Sequence, residues 1–271
     1  MDFLILLLKT LLFRPYVFVF LAAFLFSAPR LFGWRRTWLF FLITWVTAFV
    51  CEYASTRTGI PFGWYHYTGS TVGEELYLSD IPFMDSVSFA FLLFASYCLA
   101  LLFLAPDRPA PGETSRAWPR LSFDPTVHRS LPVLGLTVLF FVFIDMVIDP
   151  VALRGDRWFL GKIYYYPDPG IHFGVPLSNY LGWAVVGSLS LAGYVPIERR
   201  LPPLDAGLMP QATGPILLGC GLYLGVLAFN LAVTFWIGEP LQGLTGLLMF
   251  LPIVILALLR LSGALAPRHA R

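Results

Sequence analysis

Charge is scarce in this sequence: Asp, Glu, Lys and Arg together make up 13% of 271 residues, where a soluble domain carries about a quarter. That excludes an ordinary soluble fold. The net charge is +2, with the basic residues scattered among loops, so nothing offers a footprint for nucleic acid. Cysteine is nearly absent, and Cys51, Cys98 and Cys220 all fall inside apolar segments. They read as small packing residues, not as a disulfide framework or a thiolate metal set. The four histidines stand apart, whereas membrane di-iron oxygenases need them in clusters. There is no phosphate-binding Gly-rich loop ending in Lys, no Gly-x-Ser-x-Gly elbow and no Cys-x-x-Cys. ATP hydrolysis, acyl-serine chemistry, oxygen chemistry and thiol redox therefore have no visible apparatus. Acid–base chemistry without a cofactor, or transport, remains.

What the chain has in abundance is apolar surface: 58% hydrophobic and 17% aromatic residues, with a mean hydropathy of +0.74. Spans of about 20 apolar residues are the unit of a polytopic membrane protein. Seven are drawn at 16–32, 38–53, 81–104, 131–149, 177–194, 215–237 and 241–261. The expected fold is all-α, a membrane helix bundle forming one integral domain over residues 1–271. Residues 1–35 serve as an N-terminal anchor segment, retained because Pro29 spoils the Ser27-Ala28 cleavage candidate. Residues 2–13 are apolar too, but Arg14-Pro15 interrupts them; they either extend the first span or lie along the interface. The stretch 105–129 is Pro-rich and polar, a linker between spans. Gly221-x-x-x-Gly225 is expected to be a close-packing face for a neighbouring helix.

Basic residues orient the bundle. Arg30, Arg35, Arg36, Arg108, Arg116, Arg120, Arg129, Arg199, Arg200, Arg260, Arg268 and Arg271 fall on one side. Arg57, Arg154, Arg157 and Lys162 fall on the other. The positive-inside rule places the first group, and the C-terminus, in the cytoplasm of a prokaryotic cell, with the N-terminus outside. On that topology Glu52, Asp85, Asp145, Asp149, Asn179 and Asn230 all sort into the outer half of the bilayer. The aromatic loops 58–67 and 158–173 lie above them. Acids inside a membrane are costly and face the bundle interior, so the economical reading is one site facing the outer leaflet. The competing reading solvates the acids at the interface, Asp149 above all, because Pro150 is expected to end the helix there. It likewise assigns Trp64, Tyr65, Tyr67, Trp158 and Tyr164–Tyr166 to a headgroup-level aromatic belt. His66 and His172 have no ligand spacing, and no metal is expected.

Three blocks carry a family resemblance. They are Glu52 with Thr58-Gly59-Ile60-Pro61-Phe62-Gly63, Tyr65 and Tyr67; Asp145 with Asp149-Pro150 and Ala152; and Gly174-Val175-Pro176 with Asn179 and Gly182-Trp183. In this order they resemble the carotenoid 1,2-hydratase family over about residues 36–261, leaving out the first thirty residues and the linker. The resemblance implies a membrane enzyme that adds water to the terminal double bond of an acyclic carotenoid end, giving a tertiary alcohol. Its partners would be that substrate, the lipid bilayer and other carotenoid biosynthesis enzymes, with no cofactor.

The residues suit such a reaction on their own. Protonating a trisubstituted alkene needs a carboxylic acid kept neutral in an apolar pocket, which desolvation and a neighbouring carboxylate both favour. Asp145, Asp149 and Glu52 are the catalytic candidates. Asp145 is the expected proton donor, because it lies a turn deeper than Asp149 on a short side chain. Asp149 is the expected base for the water. Tyr65, Trp158 and Trp183 would face the cation, with Tyr67 beside the substrate and Asn179 and Asn230 holding the water. Two other readings stay open: a transporter or lipid-handling protein using the acids as a proton relay, and cyclase or isomerase chemistry on the same end group. A carrier would want inverted repeats and a polar path through the inner half, and neither is visible.

Overall fold

The computed structural model describes residues 3–107, 119–155, 157, 159–202 and 212–263. Trp158, Asp156, Arg108, Arg116, Arg268, Arg271 and residues 108–118 of the 105–129 linker lie outside the described residues. The described chain forms α1 (Phe3–Phe13), α2 (Pro15–Phe32), α3 (Trp34–Thr58), α4 (Phe83–Leu104), α5 (Leu131–Ala152), α6 (Leu177–Glu198), α7 (Thr213–Trp236) and α8 (Pro240–Leu261). Helices α2 to α8 are each long and apolar enough to cross a membrane. Four two-residue strands complete it: β1 (His66–Tyr67), β2 (Tyr77–Leu78), β3 (Ile81–Pro82) and β4 (Tyr164–Tyr165).

Helix α4 is the axis. It is apolar all round and carries small residues at Ser86, Ala90, Ala95, Ser96 and Ala100, so it is buried along most of its length. Around it run α2, α3, α6, α5 and α7, each touching the next, and α7 closes the ring against α2. Helix α8 leans on α7, α5 and α4 from outside. Close approach of α4 and α7 occurs at Gly219, where a Cβ would overlap Cys98. Gly221 and Gly225, expected at such a contact, instead face outward with nothing within 4 Å of a Cβ position. The correction has a geometric cause: positions two and six residues from Gly219 lie on other faces of α7.

Several helices outrun their expected ends because terminal charges find partners. Arg36, in the first turn of α3, and Arg129 both pair with Glu198, the last residue of α6, at 2.9 and 2.6 Å. Arg260 of α8 donates to the Leu102 and Ala105 carbonyls at 3.1 and 2.7 Å, satisfying the otherwise open C-terminus of α4. Pro150 does not stop α5, which continues to Ala152; proline removes a single N–H, and the Leu153 N–H to Asp149 C=O bond closes the end. Helix α1 is separate from α2, and 11 residues make it too short to span. Its Thr10 hydroxyl accepts the Leu76 N–H at 2.9 Å, and Lys9 reaches the Gly73 carbonyl at 3.0 Å.

Candidate functional site

At the end of the bundle where α3 and α5 finish and α4 and α6 begin, a cavity of about 160 Å³ opens among α2, α3, α4, α5, α6 and α7. Its polar lining includes Glu52, Asp85, Asp149, Asn179 and Asn230, which the structure thus brings together from five helices. Between these groups stand Phe62, Tyr65, Phe89 and Trp183. Trp183 stacks on Phe89, with centroids 4.3 Å apart, and leans on Phe141 at 4.6 Å.

Each acid has its own donors. Glu52, 4% exposed, accepts the Tyr67 hydroxyl at 2.9 Å and the Ser86 hydroxyl. Asp149 accepts three hydrogen bonds: Tyr164 at 2.8 Å on Oδ1, and Tyr166 at 3.1 Å and Asn179 at 2.7 Å on Oδ2. The same Asn179 Nδ2 donates to Asp145 at 2.7 Å. Asp145 is fully buried, has no partner on Oδ1, and does not line the cavity. Among the described residues no Lys, Arg or His forms an ion pair with Glu52, Asp145 or Asp149. Asp149, part-buried, faces the cavity with its three donors around it. Asp85 differs: it pairs with Arg14, which also binds Glu75 at 2.6 Å, and Arg14 and Asp85 close the cavity towards α1.

The two aromatic loops deliver the phenols. Strands β1 and β4 pair antiparallel, with His66 opposite Tyr165 and Tyr67 opposite Tyr164. Side chains alternate along a strand, so Tyr65, Tyr67, Tyr164 and Tyr166 all point into the cavity while Trp64 is half exposed. Gly59 ends α3 in the left-handed conformation (φ 74°) that turns the chain into this loop. Gly182 lets it settle on α6, since any Cβ there would overlap Phe62. Burial, and then Glu52 once it is ionised at alkaline pH, holds the Tyr65 and Tyr67 phenols well above the ordinary tyrosine value. Burial and Asp149 do the same to Tyr164 and Tyr166. They remain donors. His66 lies against Tyr165, and His172 meets the Tyr180 hydroxyl at 2.5 Å.

Tyr164, Tyr166, Ser86 and Arg14 were not among the expected site residues. The signal for the two tyrosines is the Tyr-x-Tyr repeat shared by both loops, which in a paired ladder puts four rings on one face. Asn230 lines the cavity with its Nδ2 donated to the Val226 carbonyl at 2.9 Å.

A relative from Haloarcula japonica, a bisanhydrobacterioruberin hydratase, is 32% identical over 247 residues, spanning 87% of this chain and 72% of its own. No solved structure matches. The family model described as "Carotenoid biosynthesis protein" matches residues 4–253, starting well ahead of position 36, where the sequence resemblance begins. By the span of that match and the identity of that relative, the chain belongs to the carotenoid biosynthesis protein family.

Proposed function

We propose that this protein adds water across the terminal C1,C2 double bond of an acyclic carotenoid, through a tertiary carbocation. The observation that carries the reading is the pair of cavity-facing carboxyl groups, Glu52 and Asp149, set on different helices among aromatic rings without a cation paired to either. Family membership and the hydratase name of the Haloarcula japonica relative support the substrate class.

The donor sets support a division of roles. Asp149 receives an amide N–H, which can only donate, and two phenols; three donors suit a carboxylate. The Ser86 hydroxyl beside Glu52 can accept as well as donate, so it suits a carboxylic acid. Asp145 does not line the cavity and Glu52 does, which favours Glu52 over Asp145 as the proton donor. In this scheme Asp145 keeps its proton beside Asp149, so that two adjacent carboxylates never repel each other. Glu52 gives its proton to C2, and the π electrons form the new C–H bond and leave the cation on C1. The faces of Trp183, Phe89 and Tyr65 stabilise that charge, at about 0.5–2 kcal/mol per ring. A water oriented by Asp149 and Asn230 bonds to C1 through a lone pair, and its surplus proton passes to Asp149. Exchange with solvent water returns a proton to Glu52 and takes one from Asp149. The sum is alkene plus water to tertiary alcohol, with no change of oxidation state.

Expression in a host that makes an acyclic carotene, followed by mass analysis of the pigment, tests this. Addition of one water per reacted end is expected. Unchanged mass with shifted absorption would mean cyclisation or isomerisation, and unchanged pigment throughout would sink the reading.

A further inference from the structure

Below its acids the cavity has an apolar arm, lined by Val17 and Phe20 of α2, Phe91 and Leu92 of α4, and Val226 of α7. This arm runs to the seam between α2 and α7. There the wall consists of rings: Tyr16 and Phe20 face the cavity, and Phe229 backs both, stacked on Tyr16 at 5.0 Å and edge-on to Phe20 at 5.8 Å. Phe159, 45% exposed, packs across Tyr16 and Phe229 from the loop above. Phe20 and Phe229 lie five and seven residues inside their helix ends, about 8 and 10 Å deep by helical rise. That places the seam in hydrocarbon, below the headgroups.

Phe229 has somewhere to go. A helical side chain leans naturally over the residue four positions earlier, which here is Gly225, with nothing within 4 Å of its Cβ position. The outward-facing glycine that makes no helix contact leaves open the space beside this ring.

We propose that the apolar arm opens laterally to the bilayer between α2 and α7, with Phe229 swinging from Tyr16 to the space over Gly225, and that it holds the polyene body while the end group meets the acids. The proposal rests on the function proposed above for its ligand class. A long apolar chain cannot enter through the polar end, where Arg14, Glu75 and Asp85 are paired. It can enter from the membrane, where it is dissolved. The door would act on long substrates alone: a short alkene can reach the acids without leaving a tail in the seam, and a full-length carotene cannot.

Gly225→Leu fills the space Phe229 needs, on a position whose Cβ meets nothing within 4 Å in the closed state, and Phe229→Ala removes the door. Each variant and the wild type are reconstituted in vesicles and mixed with vesicles carrying an acyclic carotene or a short alkene with the same dimethylvinyl end. Pigment retained by the repurified protein reports entry independently of turnover. Gly225→Leu is expected to slow pigment uptake, and to lower the ratio of carotene to short-alkene conversion, by about tenfold; Phe229→Ala is expected to speed uptake. Wild-type uptake by Gly225→Leu, or equal slowing of both substrates, would overturn the portal. A wild type that takes up pigment and returns it unchanged would contradict water addition and leave the portal standing.

Discussion

Substituting the three carboxyl groups one at a time separates their roles. Glu52→Gln and Asp149→Asn should each lower hydration by about 10²-fold or more, the usual worth of a positioned acid or base. Asp145→Asn imitates a protonated aspartate and should keep most of the activity. Initial rates on purified, folded variants decide it; an Asp145→Asn as dead as Glu52→Gln would restore Asp145 as the donor. The presence of the acids inside the bundle was legible from the sequence, since charged residues in apolar runs are conspicuous. Which of them faces the cavity was not. Both acids reach the same Asn179 nitrogen, so they share a face, but Asp145 lies one turn, about 6 Å, further from the helix end, and only Asp149 lines the cavity. Tyr164 and Tyr166 were hidden for another reason: tyrosines near a span end look like a headgroup belt until the pairing of β1 with β4 fixes their side.

The loops and helix ends that hold these groups make their own predictions. Gly182→Ala forces a methyl into Phe62 and should destabilise the fold by about 1–3 kcal/mol, as overpacking does, read as a lowered thermal midpoint in detergent. An unchanged midpoint would mean the 59–67 loop is not seated on α6. The buried phenols predict an alkaline limit. Burial first, and the neighbouring carboxylates second, raise Tyr65, Tyr67, Tyr164 and Tyr166 above the unfolded value. Their contribution to stability is whole below about pH 10, the ordinary tyrosine value. It is lost as pH rises beyond that, because the unfolded chain releases protons that the folded chain keeps. The thermal midpoint should fall above that pH, and full tyrosinate absorbance should appear only with unfolding; complete titration of an intact fold would contradict it. Helix existence was legible from apolar runs, whereas helix ends depended on partners distant in sequence, as with Arg36 and Glu198.

Across the whole molecule, seven spans and the gathering of polar groups at one end followed from composition and alternation, but the ring order around α4 did not. Nothing local tells α3 that its neighbour is α6. The orientation in the membrane is a prediction resting on the basic residues. In a background with the native cysteines replaced, Val72→Cys should react with an impermeant label from outside cells and Thr126→Cys should not; the reverse pattern would invert the bundle. The central claim is that a carboxyl group protonates carbon and water captures the cation. Its most direct test runs the purified protein on an acyclic carotene in deuterated water enriched in heavy oxygen. The account predicts one deuterium on the carbon beside the alcohol and one heavy oxygen on the tertiary carbon, per reacted end, with or without dioxygen. An oxygen traced to dioxygen, or product without carbon-bound deuterium, would contradict it.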